Sequence, residues 1–198
     1  MHRAFEGGSR NPSGRTLTMD AVKTRAGLEQ KLYELCLPVV REQGYLLYDL
    51  EYLANQKLLR LYIMNPETKS AVIEDCVKVD HALSPAFEAA TWVPEEIVLE
   101  VSSPGVYRHV NSLAHFQTGL GETHAVTIMG QLDQSLNPDA PKKLFAVKKF
   151  RGTLKDAAPS AVTLDTEDGI VKLTFAQIKS ASLDPDFNEL MKNAKEKN

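Results

Sequence analysis

The hydrophobic period changes partway along the chain, and that change limits the fold more than any other feature. From Ala26 to Ser102, helical and alternating stretches interleave; beyond Gln117 only short alternating stretches follow. A 3.6-residue period buries a helix stripe, and a period of two buries one sheet face. Leu28, Leu32, Leu35, Val39 and Val40 share one helical face, with Cys36 beside it, Pro38 bending the helix and Gly44 stopping it. Over 45–53, Leu46, Tyr48, Leu50 and Tyr52 point one way and Asp49 and Glu51 the other; over 58–64, Leu59, Leu61 and Ile63 oppose Arg60 and Tyr62. The short turn at Asn55-Gln56 makes these an antiparallel hairpin. A second helix is expected from about Ile73 to Ala89, with Cys76, Val79, Leu83, Ala86 and Phe87 inward and a kink or stop at Pro85. A third strand covers 97–102. The first block therefore reads α-β-β-α-β, two helices on one face of a three-stranded sheet.

Ser102-Ser103-Pro104-Gly105 ends that strand with turn chemistry, and the domain boundary is placed at Val106–Arg108, between domains of 25–107 and 108–187. After a helical stretch near Leu113–Gln117, strands are expected at 123–129, 144–155, 161–165, 170–175 and 181–183, with a helical turn at Ala176–Lys179. Short strands of this kind suggest a small β-barrel. The polar segment 131–143, with two prolines, reads as a long hairpin loop. The Gly-, Ser- and Arg-rich residues 1–24 read as a disordered arm, with Met19 an alternative start, and 188–198 as a tail.

With 43% hydrophobic and 25% charged residues among 198, the chain has the balance of a folded globular protein. No apolar run approaches a membrane span, and the first residues lack the apolar core of a secretory signal. Two cysteines cannot frame a disulfide scaffold, so a cytoplasmic setting is expected. The net charge of −3 is unevenly spread. Residues 1–25 carry five basic and two acidic groups, 26–107 six and thirteen, 108–187 nine of each, and 188–198 three and two. An acidic domain thus precedes a neutral one.

The neutral domain contains one concentrated basic run. Lys142, Lys143, Lys148, Lys149, Arg151 and Lys155 occur with no acidic residue among them. Cations so spaced suit phosphates, or a strand edge guarded against pairing. On a strand, Lys149, Arg151 and Thr153 lie opposite Phe150, Gly152 and Leu154, which assigns Phe150 to the core rather than to base stacking. In the acidic domain, Glu51, Glu74, Asp75, Asp80, Glu95 and Glu96 either dock a basic protein or keep the surface soluble. Ser102, Ser103, Pro104 and Gly105 read as an interdomain turn in which Gly105 supplies a positive φ. Arg108, just beyond it, either pins the two domains or meets RNA. Cys36 and Cys76 are expected as structural thiols; Cys76 and His81 lack the further ligands a metal site needs. There is no phosphate-binding lysine loop, no nucleophile elbow and no paired-histidine zinc motif, so no enzyme, metal or cofactor is expected.

The run Leu99-Glu100-Val101-Ser102-Ser103-Pro104-Gly105, with Arg108 after it, resembles the signature of the ribosome maturation factor RimP family. Supporting pieces follow in the family's order. They are Leu28-Glu29, Arg60-Leu61-Tyr62-Ile63, Ile73-Glu74-Asp75-Cys76 with His81, Lys149-Phe150-Arg151-Gly152, Val162-Thr163-Leu164, and Phe175, Ile178, Ala181 and Leu183. The chain departs from the pattern at His109-Val110, Met64 and Val72, and in the length of 131–143. The resemblance implies an N-terminal α/β domain followed by an SH3-like (Sm-like) barrel. It implies a monomeric, non-enzymatic assembly factor that binds the free, immature small ribosomal subunit. Its partners would be rRNA and the twelfth small-subunit ribosomal protein. Two other readings stay open on the residues: a general Sm-like RNA-binding module acting as a ring, and a metal or thiol enzyme.

Overall fold

The computed structural model describes residues 25–186; the arm 1–24, the alternative start at Met19 and the tail 188–198 lie outside the described residues. The chain divides into two compact units, the first ending at Arg108 and the second starting at His109.

In the first unit, α1 spans Gly27–Glu42 and buries Leu32, Cys36 and Val40 completely, so Cys36 sits at the centre of the apolar stripe rather than beside it. Pro38 lies on the exposed side of this helix. The helix closes with two crossed bonds, Gly44 N–H to the Arg41 carbonyl (2.9 Å) and Tyr45 N–H to the Val40 carbonyl (3.2 Å). That pair satisfies carbonyls the last turn leaves open and sets Tyr45 against Val40 in the core. β1 (Leu46–Leu53) pairs antiparallel with β2 (Leu58–Met64), joined by a 3₁₀ turn at Ala54–Gln56 and a left-handed Lys57. α2 (Ile73–Ala89) crosses back so that β3 (Val98–Ser102) runs parallel to β2. The sheet order is β1-β2-β3. Leu50, Leu59, Leu61 and Ile63 meet Leu32, Val40, Val79 and Leu83 in one core.

Two details differ from expectation. The β1–β2 register shifts between Leu47 and Asp49. The extra residue turns Leu47, not Leu46, into the core and buries Tyr48 and Asp49. Asp49 is therefore not a solvent-facing acid: it accepts from the Arg25 guanidinium at 2.6 Å and from the Leu50 N–H at 2.8 Å. Pro85 does not end α2, which continues to Ala89 with the proline exposed.

In the second unit, Ser112 caps α3 (Leu113–Thr118) by accepting from the His115 N–H. The strands β4 (Thr123–Ile128), β5 (Lys149–Ala157), β6 (Ala161–Thr166), β7 (Gly169–Thr174) and β8 (Ile178–Leu183) form one antiparallel sheet in the order β7-β6-β5-β4-β8. Its core gathers Phe116, Val126, Phe150, Leu154, Val162, Leu164, Val171, Leu173 and Leu183. Gly152 is required by close approach: a Cβ there would lie 2.4 Å from the Asp165 carbonyl oxygen on β6.

The expected strand over 144–155 begins only at Lys149. Pro141 opens a 3₁₀ turn over Lys142–Ala146 that places Leu144 in the core. The closing turn falls at Phe175–Gln177, so β8 starts at Ile178 rather than at 181. The segment 131–143 is not an open loop either. Leu132 is buried, and Asn137, 5% exposed, is bonded to the backbone of β7.

Candidate functional site

Strand geometry sorts the basic run. Along β5 the exposures alternate, with Lys149 and Arg151 exposed and Phe150, Gly152 and Leu154 buried. Phe150 is core, 3% exposed, and presents no face to a base. A register shift between Leu154 and Asp156 then leaves Lys155 and Asp156 both outside before Ala157 returns to the interior. Lys142 and Lys143 sit on the 3₁₀ turn, off the strand.

Half of these cations are already neutralised. The Arg151 Nε–H donates to Asp184 Oδ2 at 2.6 Å, and its Nη2 reaches the Asp184 carbonyl at 3.1 Å. That bond raises the guanidinium pKa still further. Lys143 pairs with Asp168, and Lys155 with Asp165 at 3.2 Å. Lys142, Lys148 and Lys149 are exposed and form no ion pair among the described residues. The open groove of about 360 Å³ beside β5 is lined by Lys149 and Arg151 on one side and by Asp165, Glu167 and Asp168 on the other. Such mixed lining does not concentrate positive potential. Of the basic run, Lys142, Lys148 and Lys149 remain as exposed cations.

Arg108 belongs to the first unit. It is 6% exposed, with its guanidinium 5.7 Å from the centroid of the buried Tyr48 ring. At that distance the guanidinium is within cation–π range of the ring. At the turn before it, Gly105 has φ +77° and donates its N–H to Ser103 Oγ at 3.3 Å. An L side chain disfavours that backbone region, which explains the residue type.

The acidic candidates fall in three places rather than one. Glu51 lies opposite Arg60 on the sheet, and Arg60 lies opposite Glu100. Arg60 grips Glu100 with two bonds, 2.8 and 3.2 Å, leaving Glu51 half-buried and without an ion pair among the described residues. On α2, Glu74 is exposed and Asp80 half-buried. Asp75 is consumed structurally. It accepts from the Tyr45 hydroxyl at 2.5 Å and from the Val72 N–H at 3.0 Å, bonds that hold its carboxyl below the usual range. Asp75 thus reaches back to cap α2, where Val72 has no side-chain oxygen to offer. In the segment before β3, Glu95 is exposed and Glu96 pairs with Lys57.

Burial pushes the Cys36 thiol up to about 12, and Cys76 also rises through burial. Neither is a poised nucleophile. Among the described residues, no three His, Cys, Asp or Glu side chains gather as metal ligands, and no helix is long and apolar enough to cross a membrane.

Sequence reasoning missed Asp165, Asp168 and Asp184, the partners that quench half the basic run. All three are distant in sequence and reach their cations across the sheet or its turns. It also missed Asn137, whose only local signal is the Asn-Pro pair of a turn.

The family model of the RimP N-terminal domain matches residues 35–107, from the middle of α1 through the turn at Ser102–Gly105. The matched span covers the second half of α1 and the rest of the α-β-β-α-β unit, and it includes the Leu99–Gly105 run. Over this span the chain is similar to the N-terminal domain of the RimP family.

Proposed function

We propose that this protein is a non-enzymatic assembly factor that binds the free, immature small ribosomal subunit. The observation that carries the reading is the match to the RimP N-terminal domain, joined to a second unit whose basic run keeps three exposed lysines without an ion pair among the described residues. The five-strand order β7-β6-β5-β4-β8 fits an SH3-like (Sm-like) barrel, a fold common to many adaptor modules. In this reading Lys142, Lys148 and Lys149 meet rRNA phosphates. Glu74, Asp80, Glu95 and Glu51 favour a basic partner, the twelfth small-subunit ribosomal protein, which the family resemblance points to. Arg151, Lys143 and Lys155 hold the sheet and its turns through their carboxylates. Binding would favour one local arrangement of rRNA and protein, a shift of populations rather than a reaction. The protein acts as a cytoplasmic monomer without a cofactor.

The test is co-sedimentation with separated small subunits, large subunits and whole ribosomes. Binding to free small subunits alone supports the reading; binding to none, or equally to all, overturns it. Changing Lys142, Lys148 and Lys149 together to Glu should abolish co-sedimentation. Each phosphate contact contributes about −0.9 to the log–log salt slope on duplex, so three lysines account for a slope of about −2 to −3. Lys149→Ala alone should lower the slope by about 1.

A further inference from the structure

Among the described residues, the most exposed large apolar side chain is Ile73, 79% open, in the first turn of α2. Val72 before it is 60% exposed, and Val77, one turn on, 48%. Apolar side chains scattered singly over a surface are ordinary, but three within six positions form a patch. At 100° per residue, Ile73 and Val77 share one stripe with Asp80 and Ser84, turned away from the buried Val79 and Leu83. The cap adds to the patch. Helix caps favour Ser, Thr, Asp or Asn, yet Val72 stands there, and Asp75 accepts from the Val72 N–H at 3.0 Å from inside the first turn. The helix is capped all the same, and an apolar side chain takes the exposed position.

We propose that this end of α2 docks a protein segment that carries apolar side chains flanked by Lys or Arg. The proposal rests on the function proposed above and names the surface where its basic protein partner meets the first unit. Charge decides the occupant. Glu74 flanks the patch, and Asp80 and Glu88 continue its side of the helix; none of the three forms an ion pair among the described residues. Lys78, the one lysine in the α2 sequence, is engaged on the other flank. It donates to the Gln43 carbonyl at 3.1 Å and lies 5.4 Å from the centroid of the Tyr45 ring. RNA phosphates would meet Glu74 and Asp80, and the helix N-terminus that could draw an anion already holds the Asp75 carboxylate. A second copy in a two-fold pairing would bring the same acids against each other. A basic segment with apolar side chains matches both the patch and its rim.

Photo-crosslinking tests the occupant. The full chain carrying Ile73→p-benzoylphenylalanine is mixed with free small subunits and irradiated. The crosslink should fall on a ribosomal protein, in a stretch that holds Lys or Arg. A crosslink to rRNA or to a second copy overturns the proposal, and so does none from a chain that co-sediments. A chain that does not co-sediment sinks the proposed function instead, and the surface is then tested without ribosomes. Two synthetic peptides serve as probes, an amphipathic helix of Leu and Lys and the same helix with every Lys replaced by Glu. The Lys peptide should move the amide resonances of residues 72–81 in the full chain, and the Glu peptide should leave them in place. Equal shifts from both peptides, or none from either, overturn the docking surface. Changing Ile73 and Val77 together to Ser should weaken binding of the Lys peptide about tenfold or more, with the melting temperature unchanged because both side chains lie at the surface. Glu74→Lys should weaken it as well. Wild-type affinity in the double serine variant overturns the proposal.

Discussion

Gly152 shows how one residue type fixes the spacing of two strands. Its Cα lies so near β6 that a methyl group would press on the Asp165 carbonyl at 2.4 Å, and a backbone oxygen cannot rotate away. Gly152→Ala must push β5 from β6 along the row that carries Arg151, a strain of the overpacking kind that costs about 1–3 kcal/mol. A denaturant midpoint unchanged from wild type would show that the sheet absorbs the methyl group. Arg151 beside it is a different case. Its bonds to Asp184 are exposed, so Arg151→Ala should change stability by less than about 1 kcal/mol. The residue is still informative, because Arg151→Ala should barely alter the salt dependence of subunit binding while Lys149→Ala reduces it. Both residues share one strand face and were indistinguishable in the sequence; only the partner Asp184, 33 residues on, separates them.

At the scale of elements, the joint between the end of α1 and the start of α2 is held by one carboxylate. Asp75 takes the Tyr45 hydroxyl and the Val72 N–H, and Lys78 adds a bond to the Gln43 carbonyl at 3.1 Å. The folded pKa of Asp75 is depressed, chiefly by the Tyr45 bond. Its contribution to stability is thus complete above the unfolded carboxylate pKa of about 3.9 and fades as pH falls through the lower folded value. Asp75→Asn should lose a capping contribution of about 0.5–1 kcal/mol at neutral pH. It should also flatten the acid limb of the stability curve, measured by urea titration between neutral pH and the acid range. The helices themselves were legible: α2 begins and ends where its pattern does, because its buried face keeps a 3.6-residue period. The errors came where one residue breaks a period. The shift at Tyr48 exchanged Leu46 for Leu47 in the core while Leu50 and Tyr52 kept their places, and the 3₁₀ turn at Lys142–Ala146 interrupted an apolar run that reads as strand. Neither leaves a composition signal, since both are decided by register with a neighbour.

For the whole molecule, the two hydrophobic cores are drawn from separate stretches of chain. Every member of one falls between Leu28 and Val101, and every member of the other between Val110 and Leu183. The hydrophobic period of the sequence changes between these two stretches. The candidate surfaces were less legible, because charge along the chain does not reveal which charges cancel in space. Separate cores make a definite prediction. Leu61 and Leu164 are each fully buried, one in each core. Either change to Ala should cost its own core about 2–5 kcal/mol, as large-to-small substitutions do. In Leu61→Ala, hydrogen exchange should quicken for protected amides of β1, β2 and β3 while those of β5 and β6 keep wild-type rates; Leu164→Ala should do the reverse. Quickening of both sets by either change would show the two cores to be energetically coupled.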